Sequence, residues 1–496
     1  MGESATAPRG RTAVAVRWNT FSMGVRQVAQ IVGALIIARI LGPEDFGVIS
    51  AAMILVVLTP LILDLGLSSA LIQRPELRKD HIKTTTTINL VSALILGGAV
   101  WASSGWIAQF FGSSALQHIY TILGIAMILK GLAVTPRALI VRNLRFKPLA
   151  ITESIAAVVG VSAGIIAALA GARYDAVLWQ VLLTDLITVV GLQLAIRSGI
   201  PGWSTEAFKD LVAFGARIFA ANTLAYCSRN LDNILVGRFL GLDALAIYAM
   251  AYRVLVIPVQ FIGQTVNRVM FPRFSRAQGN LLEVRELLMA STRLLAFVTI
   301  PAMALAAVAA PEAVRLILGD AWMAAAPLIS ILAIAGARET IFYITPALMR
   351  GLGRAKLNLR IEILATAVQV TGICIGLLGG VMGVAVGYLV AGMALVPVML
   401  LVQRKLTGVQ IRSQLLTLVP ALHASGWGVL AYLVLRWSGL SGIPLLVVGS
   451  LSFALMWGAV SALVHRSSTR RSILDIAEVL GLKARLSRRK NKGATS

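Results

Sequence analysis

Charge is scarce in this chain. Only 13% of its 496 residues are Asp, Glu, Lys or Arg, while 58% are hydrophobic. Soluble domains carry roughly 25% charged residues. A water-soluble fold of this length could not cover its surface with so few charges, so the surplus apolar surface faces lipid. Acidic residues are the scarcer sign: 21 Asp and Glu stand against 45 Lys and Arg, a formal charge of +24. Cysteine is nearly absent. Cys227 and Cys374 both fall inside apolar runs and supply neither a disulfide framework nor a metal site. The four histidines, His81, His118, His423 and His465, are scattered without ligand spacing. There is no Gly-Lys dipeptide and hence no P-loop. No cluster of catalytic acids or metal ligands gathers near one membrane face. An enzyme is therefore not expected, and neither is a cofactor or a metal.

What the chain has instead is apolar runs of about 20 residues, recurring from end to end. They predict an all-α polytopic membrane protein of about 14 transmembrane helices, at 17–41, 46–72, 84–107, 115–141, 148–171, 174–196, 208–237, 244–271, 286–310, 322–349, 357–379, 382–403, 415–436 and 443–465. Strands are excluded because the runs are too long and do not alternate. The polar, basic segment 1–16 precedes a long apolar run with no small-residue cleavage site, which reads as a retained first span. With the N-terminus in the cytoplasm, the inner segments hold 31 Lys and Arg and the outer loops only 5. This follows the positive-inside rule at every turn, and places both termini in the cytoplasm of an inner-membrane protein. The basic charge is thus an orientation signal and a contact with anionic lipid rather than a nucleic-acid footprint. In the basic tail, 467–496, segment 472–486 could form an amphipathic surface helix or remain solvated.

The chain also repeats itself. Arg39-Ile40-Leu41-Gly42-Pro43-Glu44 resembles Arg238-Phe239-Leu240-Gly241-Leu242-Asp243. Pro60 matches Pro258, and Thr135-Pro136 matches Thr345-Pro346. The expected organisation is a six-helix N-lobe at 17–204 and a six-helix C-lobe at 205–405, followed by two C-terminal helices at 406–466. Because each lobe has an even number of spans, the two are parallel repeats about a pseudo-twofold axis along the membrane normal.

Nine Lys and Arg fall inside spans: Arg26, Lys130, Arg137, Arg217, Arg229, Arg253, Arg268, Arg293 and Arg338. Each costs roughly 2.5–3.5 kcal/mol at the centre of a lone helix, so each should face protein or water. Helical phase groups some of them. Asn19, Met23, Arg26 and Gln30 share a face, as do Arg253, Gln260, Gln264 and Arg268; Asn222, Tyr226, Arg229 and Asn233 form a third stripe, and Asp64 lies with Pro60 and Ser68. A cavity between spans 1, 2, 7 and 8 would hydrate all four. Arg26, Arg217 and Arg268 would stand at its inner end and Arg229 and Arg253 further out, with Asp64 and Asp232 as partial counter-charges. A guanidinium presents a planar donor fork to phosphate, so such a cavity suits an anionic cargo. Local pairing competes with this reading: Arg229 and Asp232 are spaced i, i+3, and Arg338 has Glu339 beside it. Glu153, Asp185 and Glu362 read as intramembrane acids, either ion or proton sites or, more simply, helix-packing partners. Gly379, Gly383 and Gly387, and Gly160 with Gly164, read as close helix contacts. Trp18, Trp106, Trp322 and Trp437 read as interfacial anchors.

Several segments resemble the polysaccharide-transporter branch of the MOP flippase superfamily, the Wzx-type exporters of lipid-linked oligosaccharides. They are Ala38 to Gly47, Asn230 to Gly241, Ile247 to Arg253, Phe271 to Arg276, Gly319-Asp320-Ala321-Trp322 and Arg350 to Arg354. The likeness spans about residues 17–465. It implies two six-helix lobes forming a V plus two further helices. It also implies alternating-access flipping of a polyprenyl-diphosphate-linked glycan from the cytoplasmic to the outer leaflet. A polymerase or glycosyltransferase could dock on the basic loops, which would look the same without one. A cation-coupled drug antiporter, a lipid II flippase and a non-transporting scaffold for glycan synthesis remain alternatives. The net-basic cavity argues against the antiporter, and hydrated intramembrane charge argues against the scaffold.

Overall fold

The computed structural model describes residues 9–64, 67–73, 77–196, 200–209 and 230–479. Eleven helical stretches among them are long and apolar enough to cross a membrane. Two of these are double. The first helix, α1 (Arg9–Asp64), is broken at Gly42, whose φ of 74° lies where a side chain would be strained. The stretch Ala355–Thr407 is divided by a 3-10 turn at Leu377–Gly379 and by Gly380 at φ 66°. Counting each as two gives thirteen of the fourteen expected spans; the remaining one, 208–237, lies mostly outside the described residues. A helix is the economical element here because it satisfies its own backbone polar groups where no water can.

The chain folds as two compact units, Met1–Ala246 and Ile247–Ser496. In the first unit, α3 (Lys79–Phe111) packs along α4 (Ala115–Arg142), and α5 (Phe146–Leu169) along both α6 (Ala176–Ala195) and α1. The α3–α4 approach needs glycine: a methyl group at Gly97 would strike the carbonyl of Gly124, and one at Gly124 that of Gly97. Lipid offers no hydrophobic drive between helices, so such small-residue contacts let dispersion hold them together. Gly160 and Gly164 press on α6 at Gln180 and Thr184. Gly160-Val161-Ser162-Ala163-Gly164 spells a nucleophile elbow, but it lies inside continuous α5 rather than on a strand–helix turn.

In the second unit, α7 (Leu242–Pro258) enters from the first and runs through a π-turn at Val259–Gly263 into α8 (Gln264–Arg276). Then α9 (Leu281–Val308) packs on α10 (Ala325–Phe342) and on α13 (Val419–Trp437). Helix α11 (Ala355–Gly376) meets α12 (Gly380–Ala394) through Gly372 and Gly376 against Gly387 and Gly383, whereas Gly379 sits in the turn with open space around it. Trp106 and Trp437 are exposed, as anchors should be, but Trp322 is fully buried. The 3-10 turn Asp320–Trp322 folds its ring into the unit, so Trp322 is a core residue and not an anchor.

The predicted alternation of loops is visible within each unit. In the first, Arg142 donates to the carbonyl of Leu71, Arg145 to that of Ala195, and Lys147 lies over Trp18, joining segments expected on one side. At the other end Arg173 pairs with Asp45 at 2.8 Å, and Arg238 lies over Phe110. In the second unit Arg285 donates to the Thr407 carbonyl at 2.6 Å, while Arg436 pairs with Glu312 at 2.7 Å at the opposite end.

Candidate functional site

The arginine that sequence phase puts at the head of the first polar stripe is the starting point. Arg26, on the first arm of α1, directs Nη1 at Glu153 Oε2 of α5, 2.9 Å away. Arg137 of α4 reaches the other oxygen, Glu153 Oε1, at 3.0 Å. One carboxylate therefore bridges guanidinia from two different helices. Its side chain is 7% exposed, against 33% for Arg26 and 46% for Arg137. Two turns back along α4, on the same face as Arg137, Lys130 meets Asp185 of α6 at 2.9 Å. Four helices thus converge on a five-residue ionic cluster in an otherwise apolar bundle.

The cluster borders a cavity of about 430 Å³. Gln30, Asp64 and Ser68 contribute to its wall together with Arg26, and Gln180, Thr184 and Thr188 contribute from one face of α6. Asp64 accepts a hydrogen bond at 2.9 Å from the backbone N–H of Ser68, capping the short helix α2 (Leu67–Gln73). Its charge is thereby partly spent on orphan amides at a helix N-terminus. Pro136 lies between Lys130 and Arg137 on α4. With no N–H it leaves the Leu132 carbonyl without a helical donor, and the side-chain amide of Gln193 takes that place at 3.4 Å.

Of the predicted residues, then, Arg26, Gln30 and Asp64 come together in one cavity. Asn19 does not join them; its amide rests against the Met23 sulfur at 3.6 Å. Arg217 and Arg229 lie outside the described residues. Asp232 is buried and accepts from the Asn233 backbone N–H at 2.8 Å, away from this cavity. In the second unit, Arg253, Gln260, Gln264 and Arg268 are all exposed along α7, the π-turn and α8, with Ile257 and Phe261 exposed among them.

Lys130, Arg137, Glu153 and Asp185 are the residues that helical phase alone did not place in the site. Each was visible as an intramembrane charge, but their pairing was not. Arg293 is also neutralised, at 2.9 Å, by Asp475 of the last helix, α14 (Arg466–Val479). Ile476 of that helix packs on the core of the second unit, while Ile473 and Leu474 beside it are exposed. Between α8, α9 and α14 lies a second cavity of about 640 Å³, lined by Arg273, Glu286, Arg293, Arg471 and Asp475.

Comparison with known proteins agrees with this architecture. The profile of the family described as "Polysaccharide biosynthesis protein" matches residues 36–327. The chain is 26% identical over 347 residues to the teichuronic acid biosynthesis protein TuaB of Bacillus subtilis, covering 69% of this chain and 71% of TuaB. It is 22% identical over 394 residues to the lipopolysaccharide biosynthesis protein WzxC of Escherichia coli, covering 77% and 78%. Among solved structures, the lipid II flippase MurJ in an inward closed conformation superposes with a TM-score of 0.70 at 14% identity, covering 91% of this chain and 99% of MurJ. An inward-facing MATE family multidrug transporter of the MOP superfamily gives 0.60 at 17% identity, covering 81% and 99%. The fold is that of the MOP superfamily, and this multi-pass membrane chain belongs to the polysaccharide biosynthesis protein family.

Proposed function

We propose that this chain flips a polyprenyl-diphosphate-linked oligosaccharide from the cytoplasmic to the outer leaflet by alternating access. The observation that carries this reading is the pair of arginines, Arg26 and Arg137, held inside an apolar helix bundle beside a 430 Å³ cavity. Guanidinium at that depth is costly unless it serves an anion, and a diphosphate offers the oxygen geometry that its fork matches. Relatives point the same way: one is named a succinoglycan biosynthesis transport protein, from Rhizobium meliloti, and another a putative O-antigen transporter, from Shigella flexneri. In this reading Arg217, Arg229, Arg253 and Arg268, with Gln260 and Gln264, are further cargo contacts. Both termini are cytoplasmic, and the chain divides at 204/205 and 405/406 into two repeats and a C-terminal helix pair. A polymerase or glycosyltransferase is the natural protein partner.

An antiporter of organic cations would offer its cargo surplus carboxylate. Here Glu153 and Asp185 are each matched by a cation and Asp64 caps a helix, which favours the anionic cargo. The test is complementation of a strain lacking the gene. Wild type should restore surface glycan, and Arg26→Ala/Arg217→Ala should lose it at equal membrane abundance while lipid-linked intermediate accumulates. Normal export by that double variant would remove these arginines from the cargo path.

A further inference from the structure

The arginines of the cavity are not waiting empty-handed. Glu153 spans them, one oxygen to each, at 2.9 and 3.0 Å. The contact is incomplete in a telling way. Each guanidinium gives Glu153 a single terminal nitrogen, and Nε of Arg26, though buried, has no hydrogen-bond partner. In the flanking pair, Lys130 donates to Asp185 Oδ1 at 2.9 Å.

Resting on the reading of a diphosphate cargo, we propose that Glu153 is a resident counter-anion that the phosphate of the cargo displaces from Arg26 and Arg137. Two guanidinia brought this close would repel each other if left bare, so the unloaded site needs an anion of its own. A carboxylate held by one ion-pair contact to each arginine supplies one and yields to a phosphate that can occupy the whole fork of each. When the cargo leaves, Glu153 closes on the arginines again, so the protein does not have to release its anion into an uncompensated cationic site. Glu153 is therefore a positioning residue that sets how tightly cargo is held. A purely structural carboxylate and a displaced one make opposite predictions. Loss of a structural carboxylate loosens the arginines and weakens binding, whereas loss of a competitor strengthens it.

The experiment measures binding of farnesyl diphosphate, with farnesol as control, to the full-length chain in phosphatidylcholine nanodiscs. Glu153→Gln is expected to tighten binding about tenfold, since close interfacial charge pairs couple by that much or more. Arg26→Gln and Arg137→Gln should each weaken it about as far. In cells Glu153→Gln should accumulate at normal abundance yet export poorly, because it binds well and releases badly. If Glu153→Gln does not reach the membrane, Glu153→Asp answers in its place: one methylene shorter, it cannot span both guanidinia and should tighten binding in the same direction. Unchanged or weaker binding in the Glu153 variants, with the arginine variants still impaired, overturns the displacement and leaves the flippase reading standing. Failure of wild type to prefer farnesyl diphosphate over farnesol, or indifference of both arginine variants, overturns the diphosphate reading and the displacement with it.

Discussion

Lys130 and Asp185 face each other at 2.9 Å with side chains only 16% and 11% exposed. Neither is tolerable alone at that depth, since removing one member of a buried pair leaves a stranded charge at about 3–5 kcal/mol. Asp185→Asn should therefore lower the thermal midpoint of the purified protein sharply. The double variant Lys130→Met/Asp185→Leu, which removes both charges, should recover most of the loss. A double variant no more stable than Asp185→Asn would show that the pair is not what the single change disrupts. Sequence phase could align Arg26 with Gln30 because both lie on one helix. It could not align Arg26 with Glu153, because their meeting depends on how α1 and α5 are rotated against each other. The same limit explains Trp322: a tryptophan near a span end looks like an anchor until the 3-10 turn folds it inward.

Helix α14 is the element whose role changed most between sequence and structure. Its amphipathic pattern was legible, but a pattern does not say whether lipid or protein covers the apolar face. Docking on α9 is held by Arg293–Asp475 and by Ile476 packed against the core. Asp475→Ala should free this helix, seen as faster cleavage within 466–479 by added protease while the spans stay intact; unchanged cleavage would assign the docking to packing alone. The turn before α14 adds a pH dependence. Trp427 Nε1 donates to His423 Nε2 at 3.1 Å, so His423 carries its proton on Nδ1 and offers it to His465 Nε2 at 3.0 Å. That bond requires neutral His465. Burial, and then the neighbouring His423, hold the pKa of His465 below the usual 6.5. Because the folded value is the lower one, the contribution is complete above about 6.5 and is lost as pH falls through the folded value. Protease sensitivity of α14 should rise on acidification in wild type, and His465→Phe should flatten that rise.

For the whole molecule, the loops sort to two ends within each unit as the alternation of spans requires. Which end is cytoplasmic is tested by fusing reporters. A reporter active only in the cytoplasm should work after residue 479 and fail in the loop at 438–441, and the reverse result would invert the orientation. Close glycine packing makes a second demand at this scale. Gly383→Val should break the contact with Gly376, where no space exists for a side chain, and reduce the amount of folded protein recovered. The same change at Gly379, in open space, should cost far less.

The sequence by itself determined that this is an all-helical, multi-pass membrane protein, and it set the expected number of crossings and the expected side of each loop. Hydrocarbon thickness fixes the length of every span, and lipid asymmetry biases every loop charge, so both are written locally along the chain. Which buried charges neutralise one another was decided only by the tertiary structure. Arg26, Arg137 and Glu153 come from three different helices. Their convergence is set by glycine-mediated packing and helix rotation, which no local pattern encodes.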